Sequence, residues 1–412
     1  MKDLELTREQ AVLLNLATRS AWVGEDAPVL PSEALEGVDW PAVMKMARAQ
    51  AVPLAAFQAL ALYRDAVPAE VYASWERLAT KVVLTNLVVA KERRALHELM
   101  GDIPYVVLKG AAAAAYYPDP ELRVAGDVDF LVRMEDRDRV SELLVQNGYA
   151  MSYGDHANHW VYTKGNAHLE MHFEVAGVPF GEKGKAVNAM ITPCITAPVI
   201  RSGEDGTFLA PDDMHHALII LLHMQHHMLG DGLGLRHIID WVAFVNKTRS
   251  QDFWEELINF LKEIGLWIFT ATVTRLAVNY LGLSAPEWLT EDLNEVAGEV
   301  LVDVFTGGNF GVNDKNRSAS GMLISENGKD GTKHGALYNL AHNLHGAVLR
   351  QYPIVKRVWI FYPFVYAYKA VRFLVLSALG KRPSLTRMRP EAEKRRAIYE
   401  KLRVFETERK EK

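Results

Sequence analysis

Ile103-Pro104-Tyr105-Val106-Val107-Leu108-Lys109-Gly110 and Gly126-Asp127-Val128-Asp129-Phe130-Leu131-Val132 are the two stretches that decide the fold. The first is an apolar run closed by Lys-Gly. The second, Val-Asp-Phe-Leu-Val, has strand composition although Asp and Gly are poor strand residues. In a strand, residues i and i+2 point to one face, so Asp127 and Asp129 aim two negative charges at one spot. Carboxylates that close repel, and one takes up a proton unless a positive partner is bound. A hard, oxygen-seeking divalent cation such as Mg²⁺ is the usual partner. Alone, an Asp-x-Asp pair also describes a solvated strand end, so its neighbours must decide.

Ala111 to Tyr117 is alanine-rich and favours helix. Pro118-Asp119-Pro120 ends it, because proline biases its predecessor away from helix. Arg123 follows, four residues before Asp127. The order is therefore strand, Lys-Gly turn, helix, loop with Arg, strand with two acids. A glycine at a strand-to-helix turn lets backbone amides approach a phosphate, and a helix N-terminus favours an anion.

The set Leu108-Lys109-Gly110, Tyr117-Pro118, Leu122-Arg123 and Gly126 to Val132 resembles an uncharacterised bacterial nucleotidyltransferase family of the DNA polymerase beta superfamily. Leu169-Glu170-Met171-His172-Phe173 continues the resemblance, with an acid followed two residues later by His. So does Leu233-Gly234-Leu235-Arg236-His237-Ile238-Ile239-Asp240-Trp241, which is similar to the family's helical region. The resemblance implies an α/β (α+β) fold: a small polymerase-beta-like sheet core flanked by helical regions. At the turn, Lys109-Gly110-Ala111 departs from the Gly-Ser or Gly-Gly of many superfamily members, so no serine hydroxyl follows the glycine.

The resemblance also implies nucleotidyl transfer. An acceptor hydroxyl attacks the α-phosphate of a nucleoside triphosphate and pyrophosphate leaves, with two Mg²⁺ ions clamping the attacking and leaving oxygens. Asp127 and Asp129 would hold both ions, and Glu170 on a neighbouring strand is the third carboxylate. His172 shares its face. Lys109 and Gly110 would meet the triphosphate. Arg123 could fork onto the phosphates or pair with Asp119 or Glu121. Arg236 could contact phosphate, but a pair with Asp240 at i, i+4 is the stronger reading.

A chain of 412 residues can bury two or three domains. Its net charge of −5 disfavours bulk nucleic-acid binding, although the basic C-terminal tail keeps tRNA open as an acceptor. Cys194 is the only cysteine, which excludes an intramolecular disulfide and a cysteine zinc cluster. The charged start, Met1 to Thr7, lacks the apolar core of a signal peptide, so a cytoplasmic protein is expected.

Residues 1–100 read as helices, with Thr7-Arg8-Glu9-Gln10 as a capping box. Trp40 to Leu62 and Val71 to Met100 carry the helical spacing. Residues 101–204 form the α/β core. In it, Arg137 to Gln146 is a helix stopped by Asn147-Gly148. His159 to Thr163 and His168 to Val175 are strands around a Lys164-Gly165-Asn166 turn. In the second strand His168, Glu170, His172 and Glu174 share the polar face. Residues 205–350 are a helical domain opened by Pro211-Asp212-Asp213. His223 and His227 share a helix face there; a zinc pair is the sharp reading and polar cleft histidines the favoured one. The Gly- and Asn-rich stretch 307–335 reads as a loop. Residues 351–412 form an aromatic and basic tail. Its Tyr352 to Leu379 segment carries Pro363, Lys356, Arg357, Lys369 and Arg372, which argues against a transmembrane span; a helix packed on the body is the favoured reading, with peripheral membrane contact through 352–379 left open.

Three functions compete. One is a Mg²⁺-dependent nucleotidyltransferase acting on a small molecule, sugar or peptide. The second is a toxin-like or regulatory relative that modifies protein or tRNA. The third is a non-catalytic scaffold or nucleotide-binding module. Fold resemblance does not name the acceptor.

Overall fold

A computed structural model describes residues 6–19, 29–153, 159–179, 181–203, 206–247, 249–314, 317, 345, 348, 359–379 and 385–405. At the N-terminus, helix α1 (Arg8–Thr18) starts in the capping box that the sequence predicts. The Thr7 hydroxyl accepts from the Gln10 amide at 3.2 Å, and the Gln10 side chain accepts from the Thr7 amide at 2.9 Å. The helical run from Trp40 is two helices, α2 (Trp40–Ala49) and α3 (Pro53–Leu60). Ala51 at φ +57° breaks it, and Pro53 restarts it at a first-turn position, where its missing N–H is harmless. Helix α4 (Ala69–Met100) then leads to the sheet. Its buried Trp75 donates from Nε1 to the Pro53 carbonyl at 2.8 Å.

Five strands form one sheet: β1 (Tyr105–Val107), β2 (Val128–Val132), β3 (Ala150–Tyr153), β4 (His159–Lys164) and β5 (Ala167–His172), in the order β1-β2-β5-β4-β3. Only β2 and β5 run parallel. Parallel neighbours need a long crossover. Helices α5 (Ala111–Ala114) and α6 (Arg137–Gln146) lie on either side of β2 in the chain, and α6 with β3 and β4 makes that crossover. Helix α6 ends at Asn147-Gly148 as expected, with Gly148 left-handed at φ +84°. All five residues of β2 are buried. Phe130 packs with Tyr105, Tyr162, Leu169 and Met171 in the sheet's own apolar core.

Two strand and helix ends differ from the sequence reading. The polar-face strand expected to reach Val175 stops at His172, because His172 pairs with His159, the first residue of β4. The alanine-rich helix stops after one turn at Ala114 instead of Tyr117. The amides of Tyr116 and Tyr117 turn back three residues, to the Ala113 and Ala114 carbonyls. Both rings are thereby buried, and their hydroxyls donate to Asp213 at 2.6 Å and Asp240 at 2.7 Å.

Helices α7 (Gly181–Ile191) and α8 (Pro193–Thr196) precede a hairpin, β6 (Val199–Gly203) and β7 (Gly206–Ala210). The sequence reading returns to helix at about residue 205; the strands instead run to Ala210, because Phe208 and Ala210 pack into the sheet's core. Helices α9 (Asp213–Leu229), α10 (Leu235–Asn246), α11 (Gln251–Ile264), α12 (Trp267–Tyr280) and α13 (Asn294–Gly307) follow. Their apolar faces merge with those of α1 to α3 in one core, where Leu13 and Leu16 join Leu218, Leu222 and Phe269. Gln50, at the end of α2, ties these regions together. Its side-chain oxygen accepts from the Leu235 amide at 3.0 Å, its backbone carbonyl accepts from the Arg236 amide at 3.3 Å, and its amide group donates to the Val304 carbonyl at 2.9 Å.

Helices α14 (Tyr362–Ala378) and α15 (Leu385–Leu402) complete the described chain. Most of the expected 307–335 loop lies outside the described residues, as do 352–358; Asn309–Gly311 is one tight turn. Among the described residues no helix is long and apolar enough to cross a membrane.

The loop before β2 is clamped to α10. Arg123 makes a two-pronged pair with Asp240, Nε to Oδ1 and Nη2 to Oδ2, both at 2.8 Å, with each side chain 5% exposed. This replaces the pairings weighed from sequence, Arg123 with Asp119 or Glu121 and Arg236 with Asp240. Asp119 instead caps the Glu121 amide. Removing one partner of a buried pair strands the other charge and costs about 3–5 kcal/mol. Arg123→Met is therefore expected to lower the urea midpoint by that much stability at unchanged slope. A loss under about 1 kcal/mol would show that Asp240 does not depend on the clamp.

Candidate active site

Strand register builds the acidic centre. In the parallel β2–β5 pair, Asp129 lies beside Glu170 and Leu131 beside His172. Glu170 and His172 alternate with the buried Leu169 and Met171, so they share the face away from the sheet's core. Asp129 is 5% exposed. Its Oδ1 accepts from Lys109 Nζ at 2.8 Å and from His172 Nε2 at 2.9 Å. The same imidazole nitrogen is 3.5 Å from Glu170 Oε2. Ligand atoms of Asp129, Glu170 and His172 all lie within 4.8 Å of one another. Asp127, half-buried, stands one residue ahead of β2 and lines the adjoining cleft.

The electrostatics split the two aspartates. The Asp127 carboxyl is pushed up to about 7, first by the charge of Asp129 and then by burial, with Glu170 adding to it and Lys109 and Arg236 opposing. Burial also works against an ionised Asp129, but Lys109 and the His172 hydrogen bond outweigh it and hold Asp129 well below the ordinary range. His172 loses from burial and gains more from its bonds to Asp129 and Glu170, so its proton is held more tightly than usual. One carboxylate is thus satisfied by Lys109 and His172, and the other is short of positive charge. Carboxylate oxygens with one imidazole suit a hard divalent ion, and a cation bound there would relieve Asp127. The residues present therefore fit the Mg²⁺ that the sequence reading calls for.

The turn after β1 supplies the opposite wall. Gly110 is left-handed at φ +57°, and a side chain's first carbon there would meet the Asp127 carbonyl at 3.8 Å. A non-glycine residue would strain this turn. It directs Lys109 across the cleft, where Nζ also donates to His223 Nε2 at 3.1 Å. His227 Nε2 is 2.8 Å from the same atom. Since Lys109 donates to His223 Nε2, His227 must donate to it as well, an assignment made from the network. His237 Nδ1 accepts from the Gly234 amide at 3.3 Å, which leaves the proton on Nε2. That atom is buried with no partner among the described residues, and so is Arg236 Nε. Arg236 bonds the Val124 carbonyl at 3.3 Å through Nη1 and makes no ion pair among the described residues. Its charge is disfavoured mainly by burial.

His223, His227 and His237 also bring ring nitrogens within 4.8 Å of one another. The Lys109 ammonium on His223 Nε2 takes the lone pair a zinc ion would need, and in this arrangement the three rings hydrogen-bond instead. Burial, then neighbouring positive charge, pushes His227 down to about 2 and His223 and His237 well below the usual value. They are neutral hydrogen-bonding groups.

Lys109, Gly110, Asp127, Asp129 and Arg236 line one cleft of about 120 Å³, with His223, His237 and Phe310 closing it. Glu170 and His172 stand behind Asp129. Arg123 borders the cleft, but its fork is taken by Asp240. In the sequence reading His237 has no role and Asp240 is only the partner of Arg236. Their partners come from residues over a hundred positions away or from a local turn, which spacing does not reveal.

A family model described as an uncharacterised nucleotidyltransferase matches residues 36–282, and the chain belongs to that family. No curated protein and no solved structure matches the chain. The matched segment runs from just before α2 to just past α12 and contains every residue named at the cleft except Phe310.

Asp127 binds its proton more tightly folded than unfolded, so between about pH 4 and 7 the folded state holds more protons. The contribution of Asp127 to stability must then fall as pH rises through that window. Asp129 has the opposite sign: its contribution is present above its ordinary pKa and is lost as pH falls below it. In chelator, Asp127→Asn is expected to gain stability relative to the parent as pH rises from 5 to 7.5 and to exceed the parent at pH 8. Urea midpoints at four pH values check this, and parallel profiles for the two proteins would refute it.

Proposed function

We propose that the protein is a divalent-metal-dependent nucleotidyltransferase that moves a nucleoside monophosphate from a nucleoside triphosphate to an acceptor hydroxyl on a small molecule, sugar or peptide. The observation that carries this is the pairing of an undercompensated acid, Asp127, with an undercompensated cation, Arg236, across one cleft. The family it belongs to supports the same chemistry.

Asp127, Asp129 and Glu170 would hold Mg²⁺, which when bound neutralises phosphate charge and lowers the acceptor hydroxyl's pKa. Lys109 offers its ammonium to a phosphate once Asp129 no longer needs it. Arg236 Nε and His237 Nε2 are two buried donors without partners among the described residues, and phosphate oxygens would satisfy them. Gly110 keeps the turn free of side-chain bulk beside them. Glu170, 28% exposed at the outer edge of the cluster, takes the proton from the acceptor hydroxyl. The acceptor oxygen then bonds the α-phosphorus, and the bond to pyrophosphate breaks. A cleft of about 120 Å³ is below the ~300–1,000 Å³ of whole-ligand pockets. It suits the phosphates, with base and sugar over the open mouth.

Calorimetry with each of the four ribonucleoside triphosphates, with and without Mg²⁺, tests the proposal. Binding of one of them should require Mg²⁺ and vanish in a folded Asp127→Asn, Asp129→Asn double variant. Arg236→Met should weaken triphosphate binding about tenfold to a hundredfold, the worth of a charge-assisted hydrogen bond. Folded protein that binds none of the four would favour the non-catalytic scaffold.

A further inference from the structure

Helix α14 carries an apolar stripe that faces away from the body. Phe361, Phe364, Tyr368, Val371, Val375 and Leu379 are each between 42% and 70% exposed. At about 100° per residue they fall within roughly a third of the helix circumference. Phe373, on the opposite side of the wheel, packs against the main apolar core. The helix is therefore held by one face while a continuous apolar seam looks outward for about 27 Å. Scattered exposed apolar residues are ordinary, but a contiguous stripe marks an interaction surface.

Charge narrows the occupant. From Gly331 to Pro390 the sequence holds ten Lys and Arg residues and no Asp or Glu, in a chain whose net charge is −5. Arg372 flanks the stripe on the wheel. Aromatic residues crowd the start of the helix, with Phe361, Tyr362, Phe364, Tyr366 and Tyr368 in two turns. Aromatic rings favour the bilayer–water boundary, and an apolar face with basic flanks is the pattern of a helix lying in that boundary. A second copy of this chain would set like charge against like charge. No described helix can cross a bilayer, which leaves lying on it.

We propose that α14 docks this protein onto an anionic lipid surface, its Phe364-to-Leu379 stripe inserted among the acyl chains, and Arg372 with the basic residues adjoining it in sequence set against acidic headgroups. The proposal is independent of the nucleotidyl-transfer chemistry.

Flotation of the full chain with vesicles tests it. The protein should float with phosphatidylcholine vesicles containing phosphatidylserine and stay behind with pure phosphatidylcholine. Raising salt from 0.1 to 0.5 M should release it, because headgroup attraction is screened. The exposed pair Phe364→Asp, Val371→Asp should leave the melting temperature unchanged and weaken partitioning about tenfold or more. Failure to float with anionic vesicles, equal binding to neutral ones, or an unaltered double variant would each overturn it. So would a soluble parent dimer that ignores vesicles and becomes monomeric in the variant, which would assign the stripe to self-association.

Discussion

A carboxylate on a wholly buried strand must be answered by positive charge, and Asp129 imposes that constraint on everything around it. Burying an ion without a partner costs several kcal/mol. Two donors answer here, Lys109 from the turn after β1 and His172 from the end of β5. Both positions depend on backbone decisions: the left-handed Gly110 turns Lys109 into the cleft, and the parallel β2–β5 register brings His172 alongside. Shifting that register by one residue would turn Glu170 and His172 to the apolar side. The sheet's packing and the site's charge balance are thus one problem with one solution.

The site is composite. The sheet side contributes the acids and His172, while α9 and α10 contribute His223, His227, His237 and Arg236. What holds the halves in place is polar and buried: the Arg123–Asp240 fork, the Tyr117 hydroxyl on the same carboxylate, and Gln50 on the first amides of α10. Gln50 comes from the N-terminal helices, so a region with no acid or base in the cleft still sets where Arg236 stands. The shared core of α1 to α3 with α9 to α12 makes that support rigid.

Local signals were legible in the sequence wherever local chemistry decides. The Thr7 capping box, the Asn147-Gly148 stop, the Val128–Val132 strand and the turn between β4 and β5 all appear as read, because each rests on residues within a few positions of one another. The errors fall where tertiary contact wins. Alanine propensity alone would extend α5 to Tyr117, but the two tyrosine rings are drawn into burial by Asp213 and Asp240. The β6–β7 hairpin goes beyond the expected boundary because Phe208 completes the sheet's core. Arg236 and Asp240 have ideal i, i+4 spacing, yet Asp240 prefers an arginine that can meet both its oxygens in plane. Periodicity carries no information about that competitor, which lies 117 residues away.

The two undercompensated groups have a common logic. Lys109 satisfies one aspartate, and adding a second lysine for Asp127 would have given a quieter, more stable cleft. Instead the Asp127 carboxyl is pushed up towards neutrality, while Arg236 Nε and His237 Nε2 are buried with no hydrogen-bond partner among the described residues. Each is destabilising in the free protein. Together they form complementary charges kept apart by the cleft, so a ligand that brings a cation to one side and an anion to the other relieves both at once. A metal-bound polyphosphate has that charge pattern, whereas a neutral ligand or a lone anion would relieve one side only. On the proposed reading, affinity comes from relieving these two groups, and it is greatest when cation and anion arrive as a pair.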